Sequence, residues 1–146
     1  MSTMQSPATG QAFTWRVRVY YEDTDTGGVV YYANYLKFFE RARTEWLRAA
    51  GYEQRRLSEE SGLQFVVAHI ECTYRQPARL DDVLEIDLRV QKAGRAFIVF
   101  EQTARRGDDV LATATVKAAC IDSQRFVPVA MPAAMAEAFR TLSTTR

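Results

Sequence analysis

One segment constrains the fold of this chain more than any other. Between Tyr31 and Ala49, the side chains of Tyr31, Tyr35, Phe38, Phe39, Ala42, Trp46 and Ala49 recur close to the 3.6-residue period of an α-helix. Lys37, Arg41, Thr44, Glu45 and Arg48 occupy much of the opposite surface, and Gly51 follows where a left-handed residue commonly ends a helix. The stripe is too aromatic for an ordinary surface helix, so the rest of the chain must enclose it.

The enclosing material reads as β-structure. Phe13, Trp15, Val17, Val19 and Tyr21 alternate with Thr14, Arg16, Arg18 and Tyr20, which predicts a half-buried strand. Phe65 to Tyr74 is a second strand-like run, and Pro77 and Asp81-Asp82 bracket a turn. Leu84, Ile86, Leu88 and Val90 then alternate with Glu85, Asp87, Arg89 and Gln91. Turns at Ala93-Gly94 and Gly107-Asp108-Asp109 lead into runs over 96–104 and 110–121, which predicts the hairpins of a meander. Ala112, Ala114, Val116, Ala118 and Cys120 share one face of the last strand, and their small size leaves room for the aromatic helix. Arg55 to Ser61 predicts a short helix or an ordered loop. Met131 to Leu142 predicts a C-terminal helix with Pro132 near its first turn. A strand, a long helix and then antiparallel strands make an α+β fold. One antiparallel sheet curled around one central helix is the hotdog architecture. Residues 1–12 are expected to form a flexible polar arm and residues 13–142 a single domain.

Composition removes several function classes. A net charge of +1 supplies no strong field for nucleic acid. No apolar run approaches the roughly 18 residues of a membrane span, and the polar N-terminus lacks a signal-peptide core, so a cytoplasmic protein without a transmembrane segment is expected. Cys72 and Cys120 fall in strand-like segments and read as buried thiols rather than a disulfide framework. His69 is the single histidine, which argues against a His/Cys zinc site and a Ser-His-Asp triad; no metal and no cofactor are expected.

The chemistry concentrates between Tyr20 and Tyr35. Asp23 and Asp25 lie in a loop with Gly27 and Gly28, and that loop runs into the N-terminus of the long helix. The first N–H groups of a helix lack internal partners and carry partial positive charge. A carboxylate beside such donors supplies two parts of an acyl-transfer site, a base or nucleophile and an oxyanion donor. Aspartate, threonine and glycine are also ordinary caps and turn formers, and from spacing alone that is their commoner role.

The same segment, continued through Lys37-Phe38-Phe39-Glu40-Arg41-Ala42-Arg43-Thr44-Glu45, resembles the acyl-CoA thioesterases of the 4-hydroxybenzoyl-CoA thioesterase family. It is most similar to the branch associated with the Tol–Pal envelope system, which Pro77-Ala78-Arg79-Leu80-Asp81-Asp82-Val83-Leu84-Glu85-Ile86 also matches. The resemblance implies a hotdog fold, a homodimer or homotetramer, and metal-free hydrolysis of acyl-CoA. It puts the catalytic carboxylate on Asp25, as nucleophile or general base, and the thioester-polarising backbone N–H on Tyr32. Gly28, Val29 and Asn34 are expected to contact substrate, with a helix cap as the favoured alternative for Asn34. Many members of the branch carry histidine at the position of Tyr32, whereas the 4-hydroxybenzoyl enzyme has tyrosine there. A backbone donor survives that difference and a histidine side-chain role does not.

The remaining residues carry weaker expectations. Asp23 is expected to brace the loop, Glu40 to form a surface or dimer salt bridge, and His69 to be structural or interfacial. Tyr20, Tyr21, Tyr31, Tyr32 and Tyr35 are candidates for an acyl pocket, with core packing favoured for Tyr31 and Tyr35 by their helical spacing. Arg75, Arg79, Lys92, Arg95, Arg105 and Arg106 are candidates for the coenzyme phosphates. Two other activities fit less well: a hotdog dehydratase or hydratase, and a non-catalytic module binding acyl-CoA or acyl carrier protein in an envelope or lipid-synthesis complex.

Overall fold

The structure, a computed structural model, describes residues 13–142, so the expected arm at residues 1–12 lies outside it. Five strands form one antiparallel sheet: β1 (Phe13–Arg18), β2 (Leu63–Tyr74), β3 (Val83–Ala93), β4 (Phe97–Arg106) and β5 (Asp109–Asp122). Three α-helices accompany them: α1 (Asn34–Ala49), α2 (Gln54–Ser61) and α3 (Ala133–Thr141). The strand order is β1-β3-β4-β5-β2. β3, β4 and β5 make the expected meander. β2 departs from it and crosses to the far edge to pair with β5, because β1 and β4 already occupy the two sides of β3.

The core forms where the sheet meets α1. Tyr35, Phe38, Phe39, Ala42, Trp46 and Leu47 are buried on the helix. Leu84, Ile86, Leu88 and Val90 of β3 are buried opposite, as their period-two pattern requires. Ala112, Ala114, Val116, Ala118 and Cys120 are buried in β5, and their small size lets the bulky helix seat against the sheet. At the C-terminal end of α1, Trp46 packs 5.3 Å from Phe100 and 5.0 Å from Phe139 of α3, centroid to centroid. That end of the helix is closed by aromatic rings. The other end is where polar chemistry reaches solvent.

Several boundaries differ from the sequence expectation. β1 stops at Arg18, and Tyr21 starts a short 3-10 turn (Tyr21–Asp23) that leaves its ring 82% exposed. The long helix begins at Asn34 rather than Tyr31. Tyr31 still belongs to the hairpin, its N–H held by the carbonyl of Asp23, and its ring is 46% exposed rather than core. Pro132 stands one residue before α3, at its N-cap. Cys120 is buried, but Cys72 is only half-buried. Burial pushes both thiols above their ordinary pKa.

Candidate active site

The loop before α1 is a tight hairpin. Asp25 donates its N–H to the carbonyl of Val29 at 2.9 Å, and Tyr31 donates to the carbonyl of Asp23 at 3.1 Å. At the tip, Gly28 N–H reaches the carbonyl of Asp25 at 3.0 Å, and Gly28 adopts a φ of 81° that a side chain would disfavour. Gly27 N–H donates to Asp25 Oδ1 at 2.8 Å. A β-carbon on Gly27 would sit 3.2 Å from that same oxygen, so glycine there keeps clear of the carboxylate. Asp25 is therefore anchored through one oxygen, while its side chain faces solvent.

Asp23 does the bracing expected of it. It is 8% exposed, and its Oδ2 accepts the N–H of Tyr20 at 2.8 Å. Its carbonyl also receives Asn34 Nδ2 at 2.9 Å. Asn34 thus does not cap the helix, as its residue type suggests; the N-cap is Ala33, which offers no side-chain bond. The amide of Asn34 ties the hairpin to the first turn of α1 instead.

A second set of bonds fixes the hairpin to the segment before β3. Val29 bridges to Arg79, and Val30 N–H donates to the carbonyl of Ala78 at 2.8 Å. The buried hydroxyl of Tyr35 accepts the N–H of Ala78 at 3.1 Å, and burial raises its pKa. Asp82 accepts from Arg79 N–H and from Arg106 Nη1, each at 2.8 Å. Burial favours its neutral form, but these donors outweigh burial and hold its pKa below the usual carboxylate value.

Entry into α1 leaves donors available. Asn34, Tyr35 and Leu36 donate to the carbonyls of Tyr31, Tyr32 and Ala33. The N–H groups of Tyr32 and Ala33 have no acceptor among the described residues. The donor expected on Tyr32 therefore lies two residues ahead of the helix proper, in the turn leading into it. Tyr32 also lines an open cavity of about 240 Å³ with Tyr35, Tyr74, Arg75, Gln76 and Pro77. Its ring lies 5.0 Å from Tyr31 and 5.7 Å from Tyr74. Burial, then the neighbouring Cys72 thiol, pushes the Tyr74 phenol far above its ordinary pKa, so it is neutral at physiological pH. Asp25 stands on the hairpin and does not line this cavity.

The basic candidates separate by their partners. Arg105 is committed to Asp87 and Glu85, at 2.6 and 3.0 Å, and Arg106 to Asp82. Lys92 lies 5.7 Å from the Phe97 ring centroid. Arg75 lines the tyrosine cavity and Arg79 bridges to the hairpin; neither guanidinium has a carboxylate within 4.0 Å among the described residues, although the Arg79 charge and N–H both act on Asp82. Glu40 is exposed and accepts from Thr44 at 3.1 Å. His69 is exposed on the edge strand β2, 3.7 Å from Glu71. One residue the sequence reading passed over is Arg43, which hydrogen-bonds Gln102 beneath the helix. Its signal was its spacing, four residues after Phe39 and four before Leu47, on the apolar stripe.

The sequence profile of the thioesterase-like superfamily matches residues 19–139. The chain belongs to this superfamily. Relatives within it include the acyl-CoA thioesterase YbgC of Haemophilus influenzae, 49% identical over 89% of this chain and 96% of the relative. The acyl-CoA thioester hydrolase YbgC of Escherichia coli O6:H1 is 43% identical over 88% of this chain and 96% of its own length. Among solved structures, a probable thioesterase from Bartonella henselae superposes with a TM-score of 0.79 at 38% identity, covering 84% of this chain and all of the other. The superfamily and its hotdog α+β fold agree with what the resemblance implied.

Proposed function

We propose that the chain is an acyl-CoA thioesterase, hydrolysing acyl-CoA to a free acid and coenzyme A, with Asp25 as its central group. The observation that carries the reading is the hairpin geometry. One oxygen of Asp25 is pinned by Gly27 N–H, the side chain faces solvent, and unused N–H donors follow at Tyr32 and Ala33. Relatives at 43–49% identity named as acyl-CoA thioesterases support the same activity.

In this reading the thioester oxygen accepts the N–H of Tyr32, and the carbonyl carbon becomes electrophilic. Asp25 either attacks that carbon, forming a mixed anhydride that water then cleaves, or takes a proton from an attacking water. In both routes the tetrahedral oxyanion is held by the backbone donor. Its collapse breaks the C–S bond and releases the coenzyme thiolate. A thiol pKa of about 8.5 makes this a good leaving group at neutral pH. Gly28 and Val29 flank the substrate on the returning arm of the hairpin. Asn34 offers its Oδ1, since its nitrogen is committed to Asp23. Arg75 and Arg79 are our candidates for the coenzyme phosphates.

The outer edge of β2 supports a homodimer. It is a 12-residue edge strand that presents Val67 and Tyr74 to solvent, and an exposed edge of that length is a template for pairing with another chain. Two such dimers would give the homotetramer. Thiol release from short, long and aromatic acyl-CoAs, and from the same acyl groups on acyl carrier protein, tests the activity and identifies the carrier. Trapping the acyl group on Asp25 in a single turnover with hydroxylamine distinguishes the routes, because only the nucleophilic one forms an anhydride there that yields an aspartyl or acyl hydroxamate faster than the thioester itself does. Acyl-CoA binding without turnover of any substrate would refute the enzyme reading.

A further inference from the structure

The mechanism leaves Arg43 unused, and its surroundings are unusual for a cation. Its Nη1 donates to Gln102 Oε1 at 3.0 Å. Gln102, 2% exposed, is fixed in turn by its Nε2 donating to the carbonyl of Phe39 at 2.9 Å. A guanidinium carries five N–H donors. No carboxylate oxygen lies within 4.0 Å of Arg43 among the described residues. Removal from water disfavours the charged form, and Glu40 offsets this only at longer range. Arg43 is half-buried, and a partly desolvated charge without an ion-pair partner favours an anion that reaches it.

The space beside Arg43 suits such an anion on an apolar body. A cavity of about 170 Å³ lies between α1 and strands β2, β4 and β5, with Arg43 on its wall. Leu47, Phe65, Val67, Ile98 and Phe100 supply apolar lining. Apolar cavities of about 150 Å³ hold a six-carbon ring, so a short carbon chain fits the volume. The guanidinium fork matches a carboxylate with two parallel hydrogen bonds. Glu40 also borders the cavity, but it is an exposed side chain engaged with Thr44.

We propose that this cavity binds a short aliphatic carboxylate, its chain against Leu47, Phe65, Ile98 and Phe100 and its head group on Arg43. Two sources share this chemistry: the released acid product, and the far end of an acyl group that itself ends in a carboxylate. The source question rests on the thioesterase reading; the binding does not.

The test titrates hexanoate, and hexan-1-ol as its neutral counterpart, into the full-length protein, following the Arg43 Nε–Hε signal by NMR. Hexanoate is expected to shift that signal saturably and hexanol to leave it in place. Arg43→Gln is expected to weaken hexanoate binding about tenfold to a hundredfold, the range for hydrogen bonds to charged groups. Arg43→Lys retains part of it, and Glu40→Gln tightens it. Ala118→Leu, which fills the cavity and keeps Arg43, abolishes binding and keeps the proposal testable if Arg43→Gln does not fold. Equal binding of acid and alcohol, or full affinity in folded Arg43→Gln or Ala118→Leu, overturns it. Medium-chain acyl-CoAs with and without a terminal carboxylate then identify the source. A preference for the carboxylated chain that Arg43→Gln removes assigns the site to the acyl group. Product inhibition that Arg43→Gln relieves assigns it to the released acid.

Discussion

The two glycines of the hairpin separate stability from activity. Gly28 has a φ of 81° and open space where a β-carbon would go. Gly28→Ala therefore carries a backbone penalty and no clash, about 1–2 kcal/mol for a left-handed alanine. For a domain this size that lowers Tm by about 3–8 °C. Gly27 is the reverse case. Its backbone is not left-handed, but an added β-carbon would meet Asp25 Oδ1 at 3.2 Å, tighter than ordinary contact. The carboxylate must give by a few tenths of an ångström. A misplacement of 1 Å costs about a hundredfold in enzymes generally, so Gly27→Ala should lose roughly tenfold in kcat with little change in Tm. Calorimetry and thiol release on both variants check this. If Gly27→Ala melts lower than Gly28→Ala, or keeps full kcat while Gly28→Ala loses more, the assignment of roles within the hairpin is wrong.

Three further outcomes follow from the packing and charges. Trp46→Ala removes a buried ring set between Phe100 and Phe139 and should cost about 3–5 kcal/mol in urea unfolding. Asp82 has a folded pKa below its unfolded value, so its stabilisation is present above the unfolded pKa and is lost as pH falls through the folded one. Asp82→Asn should be less stable than wild type by about 1.5–3 kcal/mol at neutral pH, and the gap should close in acid below the usual carboxylate range; a pH-independent gap contradicts this. If the proposed dimer forms through β2, Val67→Lys, which places a charge on that edge, should give a folded monomer in sedimentation velocity where wild type sediments as a dimer.

What could be read from the sequence depended on whether a pattern was local. The alternation of Leu84 to Val90 and the small residues of β5 each bury one dry face, so their periodicity survived into the structure. The start of α1 did not, because Tyr31 keeps helical spacing while distant carbonyls, Asp23 and Ala78, hold residues 30 and 31 in the hairpin. The path of β2 to the far edge depends on β1 and β4 claiming β3, a competition between segments far apart in the chain. Asn34 looked like a cap because its residue type favours capping, and only the fold showed the Asp23 carbonyl within its reach. Asp25 drew attention through family resemblance rather than spacing, since aspartate and glycine before a helix serve equally well as a turn. Arg43 was passed over because a charged residue on a helix is ordinarily assigned to solvent, whereas here Gln102 draws it beneath the helix.

The most direct test of the account is thiol release from acyl-CoA by wild type and by Asp25→Asn, with folding verified by circular dichroism. The substitution keeps the shape and the acceptor for Gly27 N–H while removing the basic carboxylate. We expect turnover by wild type and a loss of about 100- to 10,000-fold in kcat for the folded variant. Undiminished turnover by folded Asp25→Asn would contradict the central claim and turn attention to Glu40.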